Sequence, residues 1–167
     1  MTVKDLEGLF EYGYWANRQL FEVVGRLTPK QFTQPVAGSY GSIRNTLVHT
    51  LSAEAGWLDR CGGPKRGPRL DPKNFPTFDS LAQAWRRVEA QMRDFLGNLQ
   101  DDDLDRRIEY SFNPAETNSG TVGELLHHAA NHAVHHRGQV ALLLRMLGHV
   151  PGDFDILFYY ARKPHDR

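Results

Sequence analysis

Histidine is concentrated in one segment of this sequence. Five of the eight histidines lie in the stretch from His127 to His136, which reads HHAANHAVHH. Neutral imidazole is a common metal ligand, and its ordinary pKa of about 6.5 also suits proton transfer. The segment could therefore form a metal site, an acid–base device or a polar helix face that happens to contain histidine. Helical spacing separates these interpretations, because it decides which rings share a face.

The spacing favours one pair of histidines as metal ligands. His132 and His136 are four residues apart, so in a helix their Cβ atoms lie about 5–6 Å apart on the same face. Two imidazoles at that separation can reach one metal ion at about 2.0–2.1 Å from each nitrogen. His128 and His135 point further round the helix, and His127 points well away from the pair.

The apolar face of the same predicted helix strengthens this assignment. Its members recur at helical spacing and fall within one arc: Val122, Leu125, Leu126, Ala129, Ala133, Val140, Leu143, Leu144 and Leu147. His136 lies inside the arc and His132 at its edge. A buried histidine is costly unless it has a partner, and a metal ion or a hydrogen bond can supply one. The HxxxH spacing alone is weak evidence, because the glutamate of an HExxH motif is replaced here by alanine.

A third candidate ligand, His49, lies in the segment TLVHTLSAE beside the apolar stripe of another predicted helix. With His132 and His136 it makes a candidate three-histidine site on two helices. Such a site leaves coordination positions open for water or substrate, which is typical of catalytic zinc centres. Nitrogen ligands favour Zn²⁺, Ni²⁺, Co²⁺ or Fe²⁺ over Mg²⁺ and Ca²⁺. A metal of this kind could activate water or bind a thiolate, and the ligand set does not choose between these.

Three further residues are candidate catalytic residues. Arg137 could bind an anionic substrate, and Gln139 could hold a metal-bound water, although both could equally serve packing and solubility. Glu54 lies near the inner stripe of its predicted helix and could act as a general base or orient an imidazole. An exposed or ion-paired glutamate is the alternative interpretation of Glu54.

Hydrophobic periodicity predicts the elements that position these residues. Four helices are expected, at residues 3–27, from the N-cap Ser42 to the CGGP segment, from a cap at Asp79 or Ser80 to residue 99, and at residues 121–147. The segment RRIEYSF predicts one short strand or an extended excursion, and the aromatic tail predicts a short fifth helix. Cys61 is assigned to a Gly/Pro-rich loop. Long helices joined by loops favour an all-α bundle.

Composition limits the classes of function. Twenty Lys and Arg residues balance twenty Asp and Glu residues, so no global charge favours nucleic acid or an anionic membrane. The apolar runs are too short to span a bilayer, and the N-terminus lacks the apolar region of a secretory signal. A single cysteine excludes an internal disulfide framework. We therefore expect one cytoplasmic domain over residues 1–167.

The segment NHAVHHRGQVALLLRMLGHVPGDFD resembles the signature helix of the DinB/YfiT-like superfamily, which reads Asn-His-x-x-x-His-Arg-Gly-Gln and then Leu-Arg-x-x-Gly-x-x-Pro. The matching residues here are Asn131, His132, His136, Arg137, Gly138, Gln139, Leu144, Arg145, Gly148 and Pro151. The segment at residues 14–17 is similar to the family's opening helix, and His49 occupies its first metal-ligand position. The resemblance covers nearly the whole chain.

The resemblance implies a single DinB-like four-helix bundle of the up-down-down-up type, with a short C-terminal helix and often a homodimer. It implies a divalent transition metal held by His49, His132 and His136, with Zn or Ni favoured and Fe, Co or Mn as alternatives. It further implies a small-molecule substrate and a low-molecular-weight thiol, because active members are mostly metal-dependent thiol S-transferases or isomerases. A hydrolase using metal-bound water and a non-catalytic metal-binding protein are the alternatives.

Overall fold

Four long helices form the frame of the molecule in a computed structural model, which describes residues 1–65, 67–113 and 115–162. The elements follow the chain as α1 (Val3–Val24), α2 (Pro29–Thr33), α3 (Ile43–Cys61), α4 (Phe78–Gly97), β1 (Arg107–Asn113), β2 (Glu116–Thr121), α5 (Val122–Met146) and α6 (Ile156–Arg162). Short 3₁₀ turns lie at Pro72–Asn74 and Asp101–Asp105. The predicted bundle of four main helices with a short C-terminal helix is confirmed.

Side-chain caps fix where the helices that carry the histidines begin. Ser42 accepts a hydrogen bond from the Asn45 amide and caps α3, as predicted. Thr121 and Glu124 cap α5 reciprocally, each side chain accepting from the other's backbone amide. These bonds satisfy amide groups that a helix start otherwise leaves unpaired. The prediction for α4 is wrong by about two residues, because the N-cap is Thr77 and not Asp79 or Ser80.

Helix α5 packs against both α3 and α1, and its apolar arc supplies much of the core. Val140, Leu143 and Leu144 join one buried cluster with the first half of α3, and Leu125 and Leu126 join another with its second half. Burial of large apolar side chains stabilises a fold by roughly 1.5–3 kcal/mol each. The α3–α5 seam is therefore held in register over its whole length, and this register positions the three histidines.

The hairpin corrects the expectation of a single strand. Strand β1 pairs antiparallel with β2, and Ile108 faces Gly120 across the ladder. The sequence does not predict the second strand because five of its six residues are polar, so it carries no alternation of apolar side chains.

Cys61 also differs from its prediction, because it is the last residue of α3 and is fully buried. Burial raises the pKa of its thiol to about 11, which does not favour a nucleophilic role.

None of the described helices combines the length and the apolar composition needed to cross a membrane.

Candidate metal centre

The structure brings the three histidines predicted as metal ligands together at the α3–α5 seam. Nε2 of His132 lies 3.1 Å from Nε2 of His49 and 3.0 Å from Nε2 of His136. All three nitrogens lie within 4.8 Å of one another, and among the described residues they form a group able to hold a metal ion. His136 is buried, and His49 and His132 are half-buried, so the cluster remains accessible from one side.

The hydrogen-bonding capacity of these rings fits a cation between them. Nδ1 of His136 donates to Oε1 of Gln139 at 2.7 Å, so a neutral His136 has a bare lone pair at Nε2. His132 faces two neighbours with one nitrogen, which carries at most one hydrogen. Nδ1 of His49 is buried without a partner in the described part of the chain. Four-coordinate geometry with bonds of about 2.0–2.1 Å would separate ligand nitrogens by about 3.3 Å, close to the spacing observed. The donor set therefore fits a divalent transition metal.

The environment keeps the three imidazoles neutral, which is the protonation state that binds a metal. Burial, with the neighbouring His136 and Arg69 adding to it, lowers the pKa of His49 to about 4. Burial and the surrounding histidines lower the pKa of His132 to about 4. The pKa of His136 is also lowered, chiefly by burial, although its hydrogen bond to Gln139 opposes this shift. Near neutral pH all three rings have lone pairs available.

The side chain of Gln139, on α5, contacts both its own helix and the loop before α3. Its Oε1 accepts from Nδ1 of His136 and from Oγ of Ser39, each at 2.7 Å, and its Nε2 is 2.9 Å from Nε2 of His135. Ser39 has a φ of 48°, which is uncommon outside glycine. The Gln139 amide therefore fixes the orientation of the His136 ring. The sequence instead predicts that Gln139 holds a metal-bound water. That role stays a prediction.

Tyr40 is a site residue that the sequence analysis missed. Its ring stacks on His49 with centroids 3.9 Å apart, and its hydroxyl lies 2.9 Å from Nε2 of His49. The loop brings it there through Gly38 and Gly41, which have φ values of 94° and 81°. The signal in the sequence was an aromatic residue between glycines directly before the helix that carries His49.

The other histidines of the dense segment lie outside the cluster. His127 and His128 are exposed, and the ring centroid of His128 is 5.7 Å from that of His132. His135 is exposed and contacts Gln139. Helical phase thus separated the members of the cluster from their neighbours correctly.

The candidates Arg137 and Glu54 face the interior of the bundle. Arg137 is 3% exposed, and it donates to Oδ1 of Asn17 at 2.7 Å and to the Gly13 carbonyl at 3.2 Å. Glu54 is buried and accepts a hydrogen bond from the Tyr14 hydroxyl at 3.1 Å. Burial raises the pKa of Glu54 to about 7, against the opposing effects of the Tyr14 hydrogen bond and Arg137. These contacts tie α5 and α3 to α1, so the structure favours a structural role for both side chains.

A cavity of about 730 Å³ lies between α1 and α4, and none of the three histidines lines it. Its size alone does not make it the functional site, because Phe21, Phe78 and Trp85 give it a largely apolar wall and the described residues that could hold a metal ion lie elsewhere. The nitrogen ligands that could hold a metal lie between α3 and α5.

Comparisons with known proteins agree with this architecture. The DinB family model matches residues 1–166. Protein DinB of Bacillus subtilis (strain 168) is 24% identical over 163 residues, which cover 92% of this chain and 94% of that protein. The uncharacterized protein YizA of the same organism is 26% identical over 139 residues, with coverage of 83% and 85%.

Solved structures show the same fold. A DinB-like protein from Bacillus cereus ATCC 10987 superposes with a TM-score of 0.75 at 23% identity, covering 91% of this chain and 97% of that one. A conserved protein from Enterococcus faecalis gives a TM-score of 0.61 at 16% identity, with coverage of 83% and 94%. With a family match over nearly the full length and a shared fold, the chain belongs to the DinB family.

Proposed function

We propose that this protein is a metal-dependent thiol S-transferase, an enzyme that activates a low-molecular-weight thiol so that its sulfur bonds to an electrophilic small molecule. His49, His132 and His136 hold a divalent transition metal, with Zn or Ni favoured. The observation that carries this proposal is the convergence of three Nε2 atoms, with the His132 nitrogen 3.0–3.1 Å from the other two. When bound, a divalent metal lowers the pKa of a coordinated thiol or water, so that a nucleophile is present near neutral pH.

The chain's own residues support that chemistry in two ways. Gln139 accepts from Nδ1 of His136 and so directs the lone pair of Nε2 toward the cluster. Tyr40 places a hydroxyl at the same cluster, where it can hold or pass on a proton. With a substitution substrate, a sulfur–carbon bond forms and the bond to the leaving group breaks, and the leaving group keeps the electron pair. With an epoxide or an activated alkene, a ring carbon–oxygen bond or the π bond breaks instead, and the oxygen or carbon that takes the electron pair is then protonated. The thiol proton leaves to solvent, directly or through the Tyr40 hydroxyl, which releases one proton as it takes up another.

A partly exposed cluster agrees with a small-molecule substrate, because His49, His132 and the exposed Tyr40 leave one side open to solvent. The homodimer and the cytoplasmic location expected from sequence stay predictions.

A screen of thiols against electrophiles tests the proposal. Metal-replete protein is incubated with glutathione, bacillithiol or mycothiol, each with a chloronitrobenzene, an epoxide or an activated alkene, and adducts are detected by mass spectrometry. We expect an adduct formed faster than without protein for at least one pair. The rate should be lost in His132→Ala, which removes a ligand, and kept in His127→Ala, which changes an exposed histidine of the same helix.

Two results would contradict the proposal. Metal-replete protein that accelerates no thiol pair would indicate a binding protein without this activity. Hydrolysis of the electrophile at a rate independent of thiol would indicate the hydrolase alternative instead.

A further inference from the structure

A series of aromatic rings leads away from the histidine cluster along the α3–α5 seam. The His128 ring lies 5.7 Å from His132 and 5.2 Å from Trp57. Trp57 in turn lies 5.2 Å from Tyr110 and 5.9 Å from Phe112, both on β1. We call His128, Trp57, Tyr110 and Phe112 the aromatic wall. It connects the cluster directly to the hairpin.

The exposure of these rings differs in a way that suits ligand binding. Trp57 is 4% exposed and supports its neighbours, whereas Phe112 is 74% exposed. Both Phe112 and His128 meet the indole at interplanar angles near 80°. A phenyl ring that is mostly in water, between the polar exposed residues Ser111 and Asn113, contributes little to the core. Exposed aromatic rings beside a site are typical of recognition surfaces.

The dimensions of the seam fit a small molecule that reaches from the wall to the cluster. Trp57 follows His49 by eight residues in α3, which at 1.5 Å per residue is about 12 Å along the helix. Ala53 lies between them at helical spacing, and it is half-buried and has a small side chain.

Positive charge lies beside the aromatic wall. The guanidinium of Arg60 is 5.0 Å from the centre of the Trp57 ring. A ligand on the wall therefore lies near a cation, which favours an acidic substituent.

We propose that the aromatic wall binds the planar aromatic ring of an acidic substrate whose reactive end lies at the histidine cluster. Phe112 and His128 contact the ring, Trp57 positions both of them, and Arg60 attracts the acidic group. The identification of this ligand as a substrate rests on the proposed function, whereas binding at the wall does not depend on turnover.

Calorimetry with 2-naphthoate tests the proposal on protein of measured metal content. The saturated analogue decahydro-2-naphthoate has the same charge and a similar size but no aromatic face. We expect 2-naphthoate to bind more tightly than the analogue, and Phe112→Ala to weaken its binding roughly 3- to 10-fold. The matched control is Phe158→Ala on α6, where the ring is 47% exposed, and this change should leave binding unaltered.

Arg60→Gln tests the charge. The change should weaken the binding of 2-naphthoate and leave the binding of the neutral 2-naphthol unaffected. The proposal is overturned if 2-naphthoate does not bind, if the saturated analogue binds equally well, or if Phe112→Ala and Phe158→Ala have the same effect. Metal content distinguishes this failure from that of the proposed function, because Phe112→Ala should keep the metal and His132→Ala should lose it.

Discussion

Gln139 and His136 are joined by a hydrogen bond of 2.7 Å, in which Nδ1 of the imidazole donates to the amide oxygen. The two residues are three apart in α5, so the helix itself sets this contact. The bond leaves Nε2 of a neutral His136 with its lone pair toward His132. A contact within one helix therefore prepares His136 to bind a metal.

Removing the amide should weaken metal binding. We expect Gln139→Ala to lower the affinity for Zn²⁺ about 10- to 100-fold, because partners that orient a ligating histidine typically contribute that much. Competition against a chromophoric chelator measures the affinity. Gln139→Glu keeps an acceptor oxygen at the same position and should bind more tightly than Gln139→Ala. Equal affinity of Gln139→Ala and the wild type would mean that the bond does not orient the ring.

The hydroxyl of Tyr40 should matter for turnover more than for metal binding. Tyr40→Phe removes the group 2.9 Å from Nε2 of His49 but keeps the stacked ring. We expect metal affinity within about twofold of wild type and kcat for thiol transfer lowered about tenfold or more, the usual scale of a proton-transfer contribution. Steady-state kinetics on the substrate pair found by the screen gives kcat. An unchanged kcat would remove Tyr40 from the chemistry.

Arg137 should act on stability. Replacing it by Leu leaves the Asn17 amide oxygen and the Gly13 carbonyl without their donor in a buried interface. We expect a loss of about 2–3 kcal/mol in the free energy of unfolding, measured by urea denaturation, while the folded fraction keeps its metal. An anion-binding role would instead raise KM for an acidic substrate without changing the unfolding midpoint.

The pH dependence of stability should reflect Glu54. Burial raises its pKa from its ordinary value to about 7, so the folded protein holds this proton at pH values where the unfolded chain has lost it. The folded state then binds more protons from about pH 4.5 to 7, and stability falls as the pH rises through that window. Each pKa unit corresponds to about 1.4 kcal/mol. The shifted pKa of Glu54 therefore lowers the free energy of unfolding at pH 8 by on the order of 3 kcal/mol.

Glu54→Gln removes this titration and keeps an oxygen that can accept from Tyr14. We expect the variant to match the wild type near pH 5 and to be more stable at pH 8, as measured by urea denaturation at both values. Groups common to both proteins cancel in the difference. Parallel pH profiles of the two proteins would show that Glu54 is ionised in the folded state without cost.

The sequence predicts which histidines of α5 lie together, because helical phase decides this. His132 and His136 follow from the position of each ring relative to the apolar arc of α5, and the same argument sets His127 and His135 aside. His49 could be proposed because it flanks an apolar stripe of its own helix. Its meeting with His132 depends on how α3 and α5 pack, and this comes from long-range contacts.

The remaining features depend on conformations that the pattern does not encode. Tyr40 reaches His49 only because Gly38, Ser39 and Gly41 adopt positive φ values. Strand β2 is stabilised by its pairing with β1, because its own side chains are mostly polar and exposed. Arg137 and Glu54 belong to residue types that are seldom buried, and the structure gives each a hydrogen-bond partner on α1, Asn17 for Arg137 and Tyr14 for Glu54.

The central claim, that His49, His132 and His136 hold a divalent metal, is tested most directly by elemental analysis of protein purified without a histidine tag. We predict about one metal ion per chain, less in each single alanine variant and none in the triple variant, with wild-type occupancy in His127→Ala and helical circular dichroism unchanged. A triple variant that retains the wild-type metal content, or a wild type that stays sub-stoichiometric with every metal supplied, would contradict the account.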